Sequence, residues 1–373
     1  MKPDPIDVIW AGTYIPEFER NARLAEYLEE SGAGVRQVRQ RLWPSDRLAA
    51  IAGSKLKIAA RMALVYPVLL FRLLFTSRPD LYLVSYPGWF DVPIVKLVAW
   101  LKRCPIVFDI FISLYDTVVT DRELASTHSV TGKVAKLIDR VSMRMSSRIL
   151  ADTRTHADFL AESAGLSSVR FGVLYVGADE AVFQPSDVEP DPTRLVFYGT
   201  FIPLQGVDVI VKAASRLSDT DLSFRLIGHG QTLKNAKQLA ADLGVKNVEF
   251  TGQMTLGELN AEMAQATLCL GVFGKTPKTA RVVPHKVYEA LAAERAVLTG
   301  RTSAIREVFE EGELLTVPAD DPVALANAIR VGMEDRVMLN RVAQAGRARF
   351  LRDFARKPQS DRLIEELERA LAS

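Results

Sequence analysis

The sequence predicts an α/β protein built from two doubly wound, parallel-sheet domains. Three observations carry that expectation. Short apolar runs alternate with longer stretches of helical spacing, as strands and crossover helices do in a parallel sheet. The alternation lapses once near the middle of the chain and then restarts. The length, 373 residues, is too great for one ordinary core but suits two domains of roughly 150–200 residues.

In the first half, strands are read at IDVIWA (6–11), VRQVRQ (35–40), LYLVSY (81–86), PIVFDIF (105–111), RILAD (148–152) and GVLYVG (172–177). Helical stretches separate them. FERNARLAEYLEES, for example, repeats Ala22, Ala25 and Leu28 at helical spacing. FQPSDVEPDPTR, beginning at Phe183, places three prolines in twelve residues and reads as a linker. The second set of strands follows at LVFYG (195–199), SFRLIG (223–228), VEFTG (248–252), LCLGVF (268–273), AVLTG (296–300) and LLTV (314–317). GVDVIVKAASRL (206–217) and DPVALANAIRVGME (321–334) are among its helices. The expected domains are thus 1–185 and 193–355, with a charged amphipathic helix over 356–373 packing back on the first. Two such domains place a cleft between them, and ligands of open α/β sheets bind beyond the carboxyl ends of the strands.

Composition narrows the class. Hydrophobic residues are 48% and charged residues 25%, with 47 basic against 45 acidic, an ordinary globular balance. A net charge of +2 argues against a nucleic-acid partner. Cys104 and Cys269 are far apart and read as buried free thiols in a reducing cytosol. Four histidines without a Cys/His cluster give no zinc site. The opening MKPDPIDVIWAGTY has no signal-peptide apolar region. ALVYPVLLFRLLF (63–75) is interrupted by Pro67 and Arg72, short of the ~20 apolar residues that span a bilayer. Arg47, Lys55, Lys57, Arg61, Arg72 and Arg78 surround it, with no acidic residue from Arg47 to Pro79. Such a segment either lies in a membrane interface or is a core helix with snorkelling cations. The expectation is a cytoplasmic protein with peripheral contact, through 47–79, on the inner face of the cytoplasmic membrane.

Chemistry-bearing loops follow the second-half strands: YGTFIPLQG, IGHGQ, FTGQM and FGKTPKTARVVPHKVYEALA. Glycines there (Gly199, Gly228, Gly230, Gly252) let a ligand approach the backbone. In the last loop Lys275, Lys278, Arg281 and Lys286 crowd a helix start that Pro284 opens. That start offers free N–H groups and a favourable dipole to an anion. Glu289 shares a helix face with Lys286, while Val287, Ala290 and Leu291 can face the core.

These loops resemble those of the retaining, nucleotide-sugar-dependent glycosyltransferases of family four (glycosyl transferases group 1). That family has the GT-B fold, two Rossmann-like doubly wound domains facing across a cleft. The resemblance spans nearly the whole chain and is strongest from Leu195 to about Asp335, including RTSAIREVFEEGELLTVPADDPVALANAI. It implies that Glu289 grips the donor's ribose hydroxyls and that Gly252 and Gln253 contact the base. The Gly228–Gly230 loop would lie beside the nucleotide, and Gly12 and Thr13 of AGTY would close on the diphosphate. Two departures stand out. Arg281 occupies the place of the family's first glutamate, which touches the transferred sugar. The loop after Gly199 has Thr200 and Gln205 where the family has cations. The reading is that Lys275, Lys278, Arg281 and Lys286 supply the missing charge.

The first domain is expected to hold the acceptor. ISLYDTVVTDRE places Ser113, Tyr115, Asp116, Asp121 and Arg122 beyond the strand that ends near Asp109. Asp109 or Asp116 would meet the acceptor hydroxyl or the sugar; Asp121 is alternatively an N-cap. Arg20 and Asn21 on the first helix are further acceptor-side candidates. YPGWFDVP (86–93) reads as a strand-to-helix connection, with an acceptor loop as the alternative. The resemblance implies a UDP- or GDP-sugar donor, no metal requirement, and front-face retention with no carboxylate nucleophile. The expected acceptor is a lipid-linked saccharide, glycolipid or surface-polysaccharide precursor. A sugar epimerase or phosphorylase on the same fold, and a non-catalytic homologue that binds a nucleotide sugar, remain as alternatives.

Overall fold

The computed structural model describes residues 5–42, 55–121, 126 and 129–372. Arg47 and Arg122, and the side chains of Lys55, Lys57 and Asp121, lie outside the described part. The chain forms two compact units. One runs to Val119, resumes a few residues later to Tyr175, and takes in the last helix from Arg356; the other takes in the short stretch beginning at Thr120 and Val176–Ala355.

The first unit is a six-stranded parallel sheet. Its strands are β1 (Asp7–Gly12), β2 (Gly34–Arg39), β3 (Leu81–Ser85), β4 (Ile106–Asp109), β5 (Arg148–Ala151) and β6 (Phe171–Val173), in the order β2-β1-β3-β4-β5-β6. Side-chain parity explains why these strands read as unbroken apolar runs. Val8, Trp10, Leu81, Leu83, Val107 and Leu150 pack on one face, with α1 (Glu19–Ser31) and the C-terminal helix. Ile9, Ala11, Tyr82, Val84, Ile106, Phe108 and Ile149 pack on the other. There they meet α2 (Lys55–Leu74), α3 (Asp91–Lys102) and α5 (Arg154–Ala164). A strand buried on both faces has no polar alternation to show. β4 ends early because Phe111 takes a left-handed conformation, φ 41°, that a strand cannot continue. α4 (Val130–Met145) is capped by Ser129, whose hydroxyl accepts from the Gly132 N–H. Asp121 is therefore not the cap of that helix; it closes a π-helical segment, Asp116–Asp121.

The second unit repeats the architecture with a different order. Its strands are β7 (Arg194–Thr200), β8 (Ser223–His229), β9 (Val248–Thr251), β10 (Leu268–Leu270), β11 (Ala296–Arg301) and β12 (Leu315–Pro318), arranged β12-β11-β10-β7-β8-β9. Counted within the unit this is the dinucleotide-binding order read from one edge. α6 (Val207–Ser215), α7 (Leu233–Asp242), α11 (Pro322–Glu334) and α12 (Arg336–Arg349) share a core with Leu195, Phe197, Phe224, Leu226, Leu268 and Leu270. Between them in sequence come α8 (Leu256–Ala264), α9 (His285–Ala292) and α10 (Ser303–Val308). LCLGVF was expected to be strand throughout, but the ladder stops at Leu270. Beyond it the Val272 N–H turns to the Thr299 hydroxyl.

The last helix, α13 (Arg356–Leu371), packs on α1. Leu363, Leu367 and Ala370 join Leu24, Tyr27 and Leu28 in one cluster. The Ser360 hydroxyl donates to the Tyr27 carbonyl at 2.8 Å, and Glu366 accepts from Arg148 at 2.5 Å. Both ends of that ion pair are nearly buried, so removing one strands the other. Glu366→Ala is expected to destabilise the protein by about 3 kcal/mol in urea unfolding. The exposed neighbour Glu365 is the control, and Glu365→Ala should stay within roughly 0.5 kcal/mol.

Candidate functional site

In each sheet, one pair of neighbouring strands marks the point where the chain reverses its direction of growth. In the second unit that pair is β7 and β10. Loops leaving such a pair diverge and leave a crevice at the strand ends. The loop after β7 makes one 3-10 turn, Pro203–Gln205, before α6; the loop after β10 runs to Pro284, the N-cap of α9. They are tied together where the Phe273 N–H donates to the Gln205 carbonyl at 3.1 Å.

Four predicted residues and one new one meet there. Tyr198, near the end of β7, donates its hydroxyl to Glu289 on α9. Burial and the Glu289 charge together hold the Tyr198 phenol well above its usual pKa. One turn before Glu289, Lys286 donates to the Gln205 side-chain carbonyl. Its ammonium also stands 3.7 Å from the centre of the Phe197 ring. Burial drives the Lys286 pKa well down, and Glu289 recovers only part of the shift. Gly199 (φ 150°) makes the arrangement possible, since a Cβ there would sit 3.1 Å from the Lys286 Nζ. Gly228 is required in turn, because a Cβ on it would come within 2.0 Å of the Gly199 carbonyl.

The other predicted donor-side residues are dispersed. Thr200 is exposed and paired in register with His229. Gly230 sits against the Phe201 backbone. Gly252 and Gln253 are exposed beyond β9, two strands from β7 and hence roughly 10 Å away. The four loop cations are not one solvated group. Lys275 is exposed, Arg281 half-buried, and Lys278 and Lys286 buried. Glu289 and Lys286 share their helix face in the interior, since each is at most 8% exposed.

In the first unit the reversal lies between β1 and β3. Gly12 and Thr13 leave β1 and close on Asp91, the first residue of α3. The Thr13 N–H donates to Asp91 Oδ2 at 2.7 Å and its hydroxyl to Oδ1 at 2.9 Å. A Cβ on Gly12 would lie 2.5 Å from that carboxylate. Burial raises the Asp91 pKa to about 6 although the Thr13 donors pull it back. The glycine loop that was expected to face a diphosphate thus already holds a carboxyl group. A small cavity of about 110 Å³ opens beside it, lined by Thr13 to Glu17 with Arg39, Arg41 and Leu42. The larger depression, about 440 Å³ along α7, holds none of the candidate residues.

Arg20 and Asp109 find each other. Arg20 Nε and Nη2 donate to the two Asp109 oxygens at 2.8 and 2.9 Å, and Nη1 donates to the carbonyls of Leu174 and Tyr175. Both side chains are fully buried. Burial pulls the Arg20 pKa down, but Asp109, Tyr27 and Asp152 outweigh it and the net shift is up. In this structure the pair joins α1 to the ends of β4 and β6, a structural tie where acceptor contacts were expected. Asn21 is similarly occupied, donating to the carbonyls of Ile15 and Tyr86. Asp116 is buried, and its N–H donates to the Ser113 hydroxyl at 2.8 Å.

Besides Tyr198 and Asp91, three more residues went unnoticed in the sequence. Asp139 on α4 accepts from the N–H groups of Leu114 and Tyr115 at 2.9 and 2.8 Å, holding the turn that carries Ser113 and Asp116. Burial raises its pKa to about 7 against those hydrogen bonds. Asp152 and His156 form a buried pair, Oδ1 to Nδ1 at 2.5 Å, just beyond β5. The i, i+4 spacing in DTRTH was the available signal for that pair. Among the described residues no group of His, Cys, Asp and Glu is arranged to hold a metal ion.

Comparison with known proteins adds to this geometry. Residues 179–349 match the model of the family described as glycosyl transferases group 1. The Pseudomonas aeruginosa protein named "Probable glycosyltransferase WbjE" is 30% identical over 36% of this chain and 34% of its own length. The MMP alpha-(1->4)-mannosyltransferase of Mycolicibacterium hassiacum is 24% identical over 62% of this chain and 56% of its own. The matches therefore span about a third to just over half of these relatives. In structure, sucrose-phosphate synthase from Thermosynechococcus elongatus superposes with a TM-score of 0.73 at 15% identity, covering 99% of both chains. Anabaena HepE, solved in complex with UDP and glucose, gives 0.68 at 14% identity over 97% of this chain and 99% of that one. Such likenesses show the fold: two Rossmann-like α/β units of GT-B type.

The two raised carboxyls set a pH dependence. Each keeps a proton in the folded state that the unfolded chain releases near pH 4, so their stabilising contribution is complete below that value. It is lost as pH rises through about 6 for Asp91 and about 7 for Asp139. The unfolding free energy of wild type relative to Asp139→Asn should therefore fall by roughly 2–4 kcal/mol between pH 4 and 7.5. A flat difference across that range in urea titrations would mean an ordinary carboxylate at 139.

Proposed function

We propose that the protein is a nucleotide-sugar-dependent glycosyltransferase. The observation that carries this reading is the buried Tyr198–Glu289 and Lys286–Gln205 pairing at the β7/β10 reversal, inside the segment that matches the glycosyltransferase model. In the proposed complex Glu289 accepts hydrogen bonds from the ribose diol, with Tyr198 fixing its rotamer. The diphosphate lies toward the start of α9, where N–H groups and the cations of 275–286 face it. The transfer is a retaining, front-face substitution. The bond from the anomeric carbon to the phosphate oxygen breaks as the bond to the acceptor oxygen forms on the same face. The acceptor's proton passes to the departing phosphate oxygen. What the protein supplies is orientation and electrostatic stabilisation of the leaving group.

The proposed donor is a UDP- or GDP-sugar and the acceptor a hydroxyl of a lipid-linked saccharide, glycolipid or polysaccharide precursor. The acceptor class is supported by the surface of α2 and α3. Leu64, Val68, Phe71 and Phe75 are exposed along one face of α2 and the residue after it. Leu97, Trp100 and Leu101 are exposed on α3, which packs beside α2. Arg61 and Arg72 are exposed on the same helix. No helix among the described residues is long and apolar enough to cross a membrane. A cation-flanked apolar face of this kind suits the interface of an anionic bilayer.

Two measurements test the reading. A saturating nucleotide diphosphate, at about 100 times its dissociation constant, should add ~2.7 kcal/mol to stability. UDP or GDP is expected to raise the thermal midpoint of the wild type, and Glu289→Ala should lose most of that shift. No stabilisation by either nucleotide would overturn the proposal, while binding without transfer to any acceptor would favour a non-catalytic homologue. For the surface, vesicles rich in phosphatidylglycerol should sediment the wild type. The Phe71→Ser, Trp100→Ser double variant should stay in the supernatant at an unchanged melting temperature. Equal sedimentation of both proteins would remove the lipid-surface argument.

A further inference from the structure

Three arginines meet where α4 and α5 end, and none of them forms an ion pair among the described residues. Arg140 and Arg144 stand one turn apart on α4, and each donates its Nε to the Ala164 carbonyl at 3.1 Å. Ala164 is the last residue of α5, where the helix dipole leaves partial negative charge. Arg170 lies just before β6 and directs Nη2 at the carbonyls of Met143, Arg144 and Ser146, at the end of α4. Burial holds its pKa below the usual arginine value. Arg20 and Arg148, by contrast, are matched by Asp109 and Glu366.

Capping α5 accounts for the Nε contacts and for little else. One guanidinium is enough to serve the end of a helix, whereas two like charges one turn apart repel each other. The Nη donors of both arginines make no hydrogen bond among the described residues. They converge at Gly165, which caps α5 at φ 64°. A Cβ there would lie 3.3 Å from Nη2 of Arg140 and 3.3 Å from Nη2 of Arg144. The two nitrogens are thus no more than twice that distance apart, and both reach the same point. The adjoining chain aside, no other described atom comes within 4 Å of that point. The Nε anchors fix the planes of both forks, so little side-chain freedom remains to be lost when an anion arrives. The surroundings are basic as well. Lys133 and Lys136 are exposed on α4, whose one carboxylate, Asp139, is buried. Glu162, exposed on the last turn of α5, pairs with neither arginine among the described residues.

We infer that Arg140 and Arg144 form a binding site for a phosphomonoester, seated over Gly165 at the end of α5. Two guanidiniums suit a doubly charged oxyanion, which presents oxygens to both forks, better than a single carboxylate. Arg170, bonded to the Arg144 carbonyl, adds a third positive charge. The site belongs to the first unit and uses none of the residues assigned to the nucleotide sugar, so it stands or falls apart from that reading. The phosphate is carried either by a small soluble molecule or by a lipid headgroup, and the chemistry at the arginines is the same for both.

The test is nuclear magnetic resonance of the arginine side chains in the whole chain. The Nε–H signals of Arg140 and Arg144, identified by their loss in Arg140→Gln and Arg144→Gln, are followed during titration with glycerol 3-phosphate, glycerol and acetate. Glycerol 3-phosphate should move both signals together and saturably, and the other two compounds should not. Glu289→Ala should respond as the wild type does, since no donor residue takes part. Sedimentation with phosphatidylcholine vesicles, with and without phosphatidic acid, supplies the lipid arm. There the Arg140→Gln, Arg144→Gln protein should bind phosphatidic acid at least tenfold more weakly than the wild type. Lys133→Gln, Lys136→Gln removes the same charge from the same helix and should weaken it less than threefold, with both variants melting as the wild type does. A response to glycerol 3-phosphate identifies a soluble ligand; vesicle binding alone, lost with the arginine pair, identifies a headgroup. Either supports the site. The inference is overturned if glycerol 3-phosphate moves neither signal and the arginine variant holds vesicles as well as the lysine variant. It is equally overturned if acetate moves the signals as far as glycerol 3-phosphate does.

Discussion

Parallel strands cannot be joined by tight turns, and that constraint shapes everything chemical in this protein. Each strand must be followed by a crossover that carries the chain back, so all carboxyl ends in a sheet gather at one edge. The loops that leave this edge are the one place where polar side chains escape the two apolar faces. Tyr198 and Gly199 near the end of β7 with Gln205 beyond it, and Gly12 at the end of β1 with Thr13 beyond it, are all found there. The reversal of strand order then selects one spot on each edge where neighbouring loops part.

Buried charge is handled in three ways. Arg20 with Asp109 and Arg148 with Glu366 are buried as pairs. Asp91 and Asp139 are buried among hydrogen-bond donors, and burial raises their pKa values to about 6 and about 7 against the pull of those donors. Lys286 is buried against the neutral Gln205 amide and the face of the Phe197 ring. The pairs tie elements together at any pH near neutrality, whereas the two raised carboxyls add stability only on the acid side of their pKa values.

The elements were legible and the polar ties were not. All the strands read from apolar runs are present within four residues of their expected limits, because burial on both faces writes them as continuous hydrophobic text. Pro284 and Glu289 were legible for a similar reason: helix-start chemistry is local. Asp91, Asp139 and the Asp152–His156 pair escaped because a lone carboxylate in a helix looks the same whether it meets solvent or a backbone. Asp91 meets Thr13 across 78 positions and Asp139 meets Leu114 across 25. The acceptor-side reading of Arg20 and Asp109 suffered from the same blindness, since each residue's partner lies 89 positions away.

The return of α13 to the first unit has a bearing on synthesis. Leu363, Leu367 and Ala370 complete a core begun by Val8, Trp10 and Leu24. A ribosome must therefore make the whole second unit before the first can close its last apolar face. Until then one side of an early sheet is bare, and the nascent chain passes through an interval when chaperone capture and misassembly compete with folding. The second unit, which runs from Val176 to Ala355 apart from a short stretch beginning at Thr120, has no such wait, so the later half of the chain can finish folding before the earlier half does.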